Sequence, residues 1–101
     1  MNNLSLAGSV ALITGAGRGI GRAIALAFAD AGAAVVCAAR TQSEIDQVAA
    51  EIRQRGGQAL SIPVDVADQP SVQRMMTATI TQLGGLDILV INAGVNLDRH
   101  T

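Results

Sequence analysis

Apolar and polar positions along this chain alternate between two rhythms. Ser9 to Thr14 (SVALIT) is a short apolar run ending at Gly15, and from Gly19 the apolar positions take helical spacing, with Ile20, Ile24, Ala27, Phe28 and Ala31 on one face. This predicts a strand, a glycine turn and a helix. Gly32 stops that helix, and Ala33 to Ala38 (AAVVCA) is a second run of strand length. Thr41 followed three residues later by Glu44 predicts a capping box, in which each side chain bonds the other's backbone N–H; Ile45, Val48, Ala49 and Ile52 form the buried stripe that follows, before Gly56-Gly57. Ala59 to Val64 reads as a third strand. Asp68 with Pro70 just after it opens a third helix with the stripe Val72, Met76, Ile80 and Leu83, ended by Gly84-Gly85, and Ile88 to Asn92 (ILVIN) is a fourth strand.

Strands and helices therefore alternate as β-α-β-α-β-α-β. Such crossovers are almost always right-handed, which makes the strands parallel and predicts an α/β sheet in the spatial order 3-2-1-4. Two helices then cover one face and only the third covers the other, so the sandwich is incomplete on one face and the fourth strand is an edge. Exposed apolar surface and self-association are the expected result. Loops are short and no repeat or linker interrupts them, so residues 1–101 read as part of one domain.

Composition narrows the function classes. Half of the 101 residues are hydrophobic, 15% are charged and the net charge is -1, which excludes disorder by composition and nonspecific nucleic-acid binding. The longest nearly apolar stretch, Ile24 to Ala39, is broken by Asp30 and Gly32 and falls short of the roughly 18 residues of a membrane span. The start, MNNLSLAGSV, lacks the charged and apolar regions of a secretory signal, and a cytoplasmic location is expected. The single cysteine, Cys37, has no disulfide partner and no metal-binding neighbours, and reads as a buried structural thiol.

The candidate chemistry sits between the first strand and the first helix. In TGAGRGIG, Thr14 to Gly21, backbone N–H groups and the helix dipole face any anion placed there, and a diphosphate fits. Gly15 permits the sharp turn, Gly19 lets the main chain approach phosphates without a Cβ, and Gly21 lets the helix pack closely on the sheet. A tight turn with no ligand would share this spacing. A nucleoside-triphosphate P-loop would not, because it needs a lysine and the chain has none. A methyltransferase-like sheet also carries such a loop, but wants an acidic residue at the end of strand two, where Ala39 and Arg40 stand.

That position bears on the cofactor. A carboxylate there would accept from the ribose 2′-OH of NAD, whereas a guanidinium clamps the additional 2′-phosphate of NADP. Arg40 is such a guanidinium and Arg18, inside the loop, approaches the same place, so two cations converge where no acid competes. The alternative is a pair of solvated surface arginines. Asp65 at the end of strand three could accept from the adenine amino group or cap its own turn, and Asn92 ends strand four on the same carboxyl edge, where open α/β sheets bind ligands.

With these residues in place the chain resembles the N-terminal half of a short-chain dehydrogenase/reductase from about Leu6 to Gly94. Thr14, Gly15, Gly19 and Gly21 match the family's TGxxxGxG motif, Asp65 and Val66 its acidic position after strand three, and Asn92, Ala93 and Gly94 its NAG motif. The resemblance implies a Rossmann-type dinucleotide-binding fold and a dinucleotide cofactor, NADP(H) favoured over NAD(H). It places Thr14, Gly15, Arg18, Gly19, Ile20, Gly21, Arg40, Asp65, Val66, Asn92, Ala93 and Gly94 around that cofactor. It also implies a homo-oligomeric oxidoreductase that transfers hydride between the nicotinamide and a small carbonyl or alcohol. The family's Tyr-x-x-x-Lys pair has no counterpart, since the chain contains neither tyrosine nor lysine, and Asp98, Arg99 and His100 read as a frayed end. The expectation is a cofactor-binding portion, inactive alone, whose catalytic half is absent; a non-catalytic dinucleotide-binding or sensor module is the alternative.

Overall fold

The computed structural model describes residues 6–92. Four strands, β1 (Val10–Thr14), β2 (Ala34–Ala39), β3 (Ala59–Pro63) and β4 (Ile88–Val90), alternate with three helices, α1 (Gly19–Asp30), α2 (Gln42–Gln54) and α3 (Gln69–Leu83). All pairings are parallel and the order is β3-β2-β1-β4, the topology expected from the alternation. β1 is central, and its five residues are buried because layers lie on both sides of it.

Period-two alternation divides the core into two clusters. Ala11, Ile13, Val35 and Cys37 face α1 and α2, where Ala25, Ile45, Val48, Ala49 and Ile52 complete one cluster. Leu12, Val36 and Ala38 point the other way, to Val64 and to Met75 of α3. Leu89 stands in register with Leu12 on this second face but is 47% exposed, and Ile91 is 65% exposed, so the covering of that face is incomplete. Short β4 is nonetheless tied to β1 at its amino end: the Asp87 N–H donates to the Val10 carbonyl, and the Val10 N–H donates to Asp87 Oδ2 at 2.8 Å.

The helices depart from the hydropathy pattern in instructive ways. In α2 the expected stripe Ile45, Val48, Ala49 and Ile52 is the buried one. In α1 the fully buried positions are Gly21 and Ala25, with Ile24 and Phe28 half-buried, while Ile20 and Ala27 are exposed. Small residues bring this helix close to the sheet, which an apolarity pattern does not register. In α3 the buried line is Ser71, Met75 and Thr79, one position before the predicted stripe, and Ile80 is 50% exposed. Two hydroxyls can occupy that line because both have partners: Ser71 Oγ accepts from the Asp65 N–H at 3.0 Å, and Thr79 Oγ1 donates to the Met75 carbonyl at 2.9 Å.

The caps differ likewise. Asp68 caps α3 by accepting from the Ser71 N–H at 3.2 Å. Thr41 occupies the N-cap position of α2, but its side chain makes no capping bond, so the predicted capping box does not form.

Cys37 is buried as expected, and burial pushes its thiol from 9.0 up to about 11, an effect that Arg53 partly opposes. An unfolded chain releases this proton near pH 9 and the folded one near pH 11, so the native state holds more protons in between and stability falls as pH rises from 9 to 11. With no tyrosine or lysine in the chain, the thiol is the side chain that titrates in this window. Urea midpoints measured across that range should fall for the parent chain and stay level for Cys37→Ala.

Candidate functional site

Parallel strands bring their carboxyl ends to one edge, and Thr14, Gly15, Gly21 and Asn92 meet there. Thr14 closes β1, and its hydroxyl both accepts from the Asn92 N–H at 3.0 Å and donates to the Asn92 carbonyl at 3.3 Å. Asn92 Nδ2 donates to the Gly15 carbonyl at 3.2 Å. Three bonds thus tie the end of the β4 segment to the point where the chain leaves β1. The next residue holds the loop to β2, its N–H donating to the Ala38 carbonyl at 3.1 Å.

This knot determines where glycine is required. Gly15 turns at φ 66°, and a Cβ there would stand 2.8 Å from both Asn92 Nδ2 and the Asn92 carbonyl oxygen. At Gly21 a Cβ would lie 1.9 Å from the Gly15 carbonyl oxygen and 2.6 Å from Asn92 Nδ2, so the first turn of α1 rests directly on the loop backbone. Gly19 differs. Its φ is 59°, and a Cβ would meet nothing within 4 Å, so this part of the loop opens outward.

The first turn of α1 faces that opening. Arg18 is its N-cap in an extended conformation, gives no side-chain cap, and the turn contains no acidic residue. Helix geometry leaves the N–H groups of this turn without intrahelical acceptors, and the macrodipole adds positive potential. Arg18 and Arg40 are both exposed, and neither enters an ion pair among the described residues. Arg22, one turn further along, is paired with Glu51 of α2 and braces the two helices.

Further along the edge, Asp65 follows β3. Its Oδ1 accepts from the Ala67 N–H at 3.0 Å, so the carboxylate caps its own turn, while Val66 beside it is 58% exposed. β3 lies two strands from β1, about 10 Å at ordinary strand spacing. Ala93 and Gly94, like Asp98, Arg99 and His100, lie outside the described residues.

Glu44 also reaches the loop, although among the described residues it pairs with neither Arg18 nor Arg40: a Cβ on Gly17 would stand 2.9 Å from both Cβ and Oε1 of Glu44. Neither residue stood out in the sequence. Gly17 fills an unconstrained position of TGxxxGxG, and Glu44 had a sufficient local role as the partner of Thr41. An acid four residues past Arg40 is the signal the sequence offers.

A shallow depression of about 400 Å³ on α3 is lined by Pro70, Gln73, Arg74, Thr77 and Ala78 and includes none of these loop residues. No group of three or more potential metal ligands occurs among the described residues, and no described helix is long and apolar enough to cross a membrane.

The family model for short chain dehydrogenases matches residues 9–101. The chain belongs to that family. It is 44% identical over 93 residues to the 7alpha-hydroxysteroid dehydrogenase of Escherichia coli (strain K12), a match covering 92% of this chain and 36% of the relative. It is 48% identical over 85 residues to an uncharacterized oxidoreductase of Mycobacterium tuberculosis, covering 84% of this chain and 32% of that protein. Among solved structures, hydroxysteroid dehydrogenase from Escherichia coli superposes with a TM-score of 0.89 at 44% identity, over 92% of this chain and 40% of the other. A short-chain type dehydrogenase/reductase from Mycobacterium marinum gives 0.86 at 44% identity, over 99% of this chain and 44% of the other. The chain thus spans about a third of the length of the curated relatives it matches. Within this family member, Thr14, Gly15, Gly21 and Asn92 make one contacting unit, Gly17 and Glu44 a second contact, and Asp65 stands apart along the same edge.

Proposed function

We propose that residues 1–101 are the cofactor-binding portion of a single Rossmann-type domain in an NADP(H)-dependent oxidoreductase. The observation that carries this reading is the first turn of α1: N–H donors with no side-chain cap and no acid, opening at Gly19 next to Arg18, with Arg18 and Arg40 both exposed and outside any ion pair among the described residues. A diphosphate suits that turn, held by its backbone N–H groups, with Gly15 and Gly21 keeping the turn tight beneath it. Arg18 and Arg40 would hold a 2′-phosphate through charge-assisted hydrogen bonds, and Asp65 and Val66 would border the adenine, the carboxylate using its capacity beyond the bond to Ala67. Asn92 would act indirectly, by fixing the Gly15 carbonyl and so the path of the loop. Ala93 and Gly94 complete the proposed set on the strength of the motif alone.

When bound, the nicotinamide supplies the hydride that passes to or from a small carbonyl or alcohol. The general acid/base for that step belongs to further chain in this reading, because the relatives are about three times as long and these residues include neither tyrosine nor lysine. The chain alone then binds cofactor without turning over.

Calorimetric titration of the chain with NADPH and NADH tests the assignment. NADPH should bind more tightly, and Arg40→Ala should weaken NADPH roughly 10-fold or more, as expected for loss of a hydrogen bond between charged groups, while leaving NADH unchanged. Equal affinities for the two cofactors, unaltered by Arg40→Ala, would overturn the NADP(H) assignment.

A further inference from the structure

We propose that Glu44 is a specificity-determining residue whose carboxylate, seated against Gly17, opposes the 2′-phosphate that Arg18 and Arg40 attract. The inference rests on the reading of this edge as a site for a phosphorylated ribose, and it sharpens that reading from two cations to two cations and an opposing acid.

Two observations carry it. The first is position: Oε1 and Cβ of Glu44 both lie 2.9 Å from where a Gly17 Cβ would stand, so the side chain is laid on the loop rather than turned to solvent. Gly17 directly precedes Arg18, and Glu44 lies four residues after Arg40, in the first turn of α2. A phosphate held by Arg18 would therefore lie beside the same stretch of loop that Glu44 touches. The second is the missing alternative. Glu44 is spaced to form a capping box with Thr41, yet Thr41 makes no side-chain capping bond, and Glu44 forms no ion pair among the described residues. Its carboxylate contributes negative potential at a place where the site's selectivity depends on positive potential.

The physical consequence is a moderated preference. Two arginines alone would discriminate steeply for a phosphorylated ribose, and a nearby carboxylate reduces that discrimination through like-charge repulsion with the phosphate dianion. The 5′-phosphate is common to both ligands, so its repulsion cancels in the ratio of their affinities and the preference reads the 2′-phosphate alone. At an exposed edge several ångströms of water-rich space screen the repulsion, and the expected effect of Glu44 on the preference is about three- to fivefold.

The test uses the chain with 2′,5′-ADP and 5′-AMP, which differ by the 2′-phosphate, with dissociation constants read from NMR titrations of the loop amides. Glu44→Gln should raise the preference for 2′,5′-ADP over 5′-AMP about three- to fivefold, tightening 2′,5′-ADP the more of the two, and the gain should shrink in high salt. Glu44→Asp, which keeps the charge but withdraws it from Gly17 by one methylene, should give a smaller gain in the same direction. Arg40→Ala serves as the control for the underlying site and should lower the preference. If Arg40→Ala lowers it while neither Glu44 variant changes it, the proposal for Glu44 is overturned and the cofactor reading stands. If Arg40→Ala has no effect, or the chain binds neither nucleotide, the cofactor reading falls and the role of Glu44 with it. A gain for Glu44→Gln that persists undiminished in high salt would also overturn the proposal, since it would show a change in loop shape rather than in charge.

Discussion

Replacing Gly21 by alanine should both unseat the loop and destabilise the fold, by about 3 kcal/mol or more. The added Cβ would stand 1.9 Å from the Gly15 carbonyl oxygen and 2.6 Å from Asn92 Nδ2. The nearest of these atoms is backbone, held where the chain turns out of β1, so no side-chain rotation relieves the overlap. Either α1 lifts from the sheet, loosening the contacts of Ala25, or the loop moves and breaks the Asn92 bond to Gly15. Overpacking of this kind costs 1–3 kcal/mol where neighbours yield and more where they are main chain. A domain of this size has about 5–15 kcal/mol in total, so the loss is a large fraction of it. Gly19→Ala is the useful contrast, because its Cβ meets nothing within 4 Å and only the positive φ of 59° penalises it, by about 1–2 kcal/mol. Urea unfolding followed by circular dichroism should rank the parent above Gly19→Ala and Gly19→Ala above Gly21→Ala. A Gly21→Ala chain as stable as the parent would mean that the close approach of α1 to the loop is not required.

Two leucines on the same sheet face should respond unequally to truncation. Leu12 and Leu89 are register partners on β1 and β4 and point to the α3 side, but Leu12 is fully buried among Val36, Ala38, Val64 and Met75 whereas Leu89 is 47% exposed. Leu12→Ala leaves a void enclosed on every side and should cost about 3 kcal/mol. Leu89→Ala removes a side chain that is already half in water and leaves no closed cavity, so about 1 kcal/mol or less is expected. It should also reduce self-association, measurable by analytical ultracentrifugation, because Leu89 and Ile91 form part of the apolar surface that this face leaves uncovered. Equal costs for the two variants would mean that Leu89 is buried in solution, by a second copy or by a rearranged edge.

Legibility varied from element to element for physical reasons. The α2 stripe was readable because all four of its buried residues are apolar and recur at helical spacing. The buried lines of α1 and α3 were not. Gly21 and Ala25 are buried for their small size, and Ser71 and Thr79 are buried because each hydroxyl finds a partner, and neither property is registered as hydrophobicity. At the candidate site the motif residues Thr14, Gly15, Gly21 and Asn92 were identifiable from spacing, yet their dependence on one another was not: Thr14 and Asn92 bond across 78 positions of sequence. Asp65 had two readings, and the bond from the Ala67 N–H realises the turn-capping one without using up its acceptor capacity.

Pattern along the chain suffices for the succession of strands and helices, their parallel arrangement in the order 3-2-1-4, and a glycine loop opening the first helix with Arg18 inside it. These follow from local periodicity, turn chemistry and the handedness of crossovers, all of which act over a few residues or constrain every chain alike. Packing between distant segments settles which faces of α1 and α3 are buried, that Asn92 pins the loop, and that Glu44 lies on Gly17. Those outcomes depend on which atoms become neighbours once separate segments pack, and the Glu44 carboxylate on Gly17 is the clearest case. Read along the chain, Glu44 belongs to a helix cap; in the folded molecule it lies against Gly17 of the glycine loop.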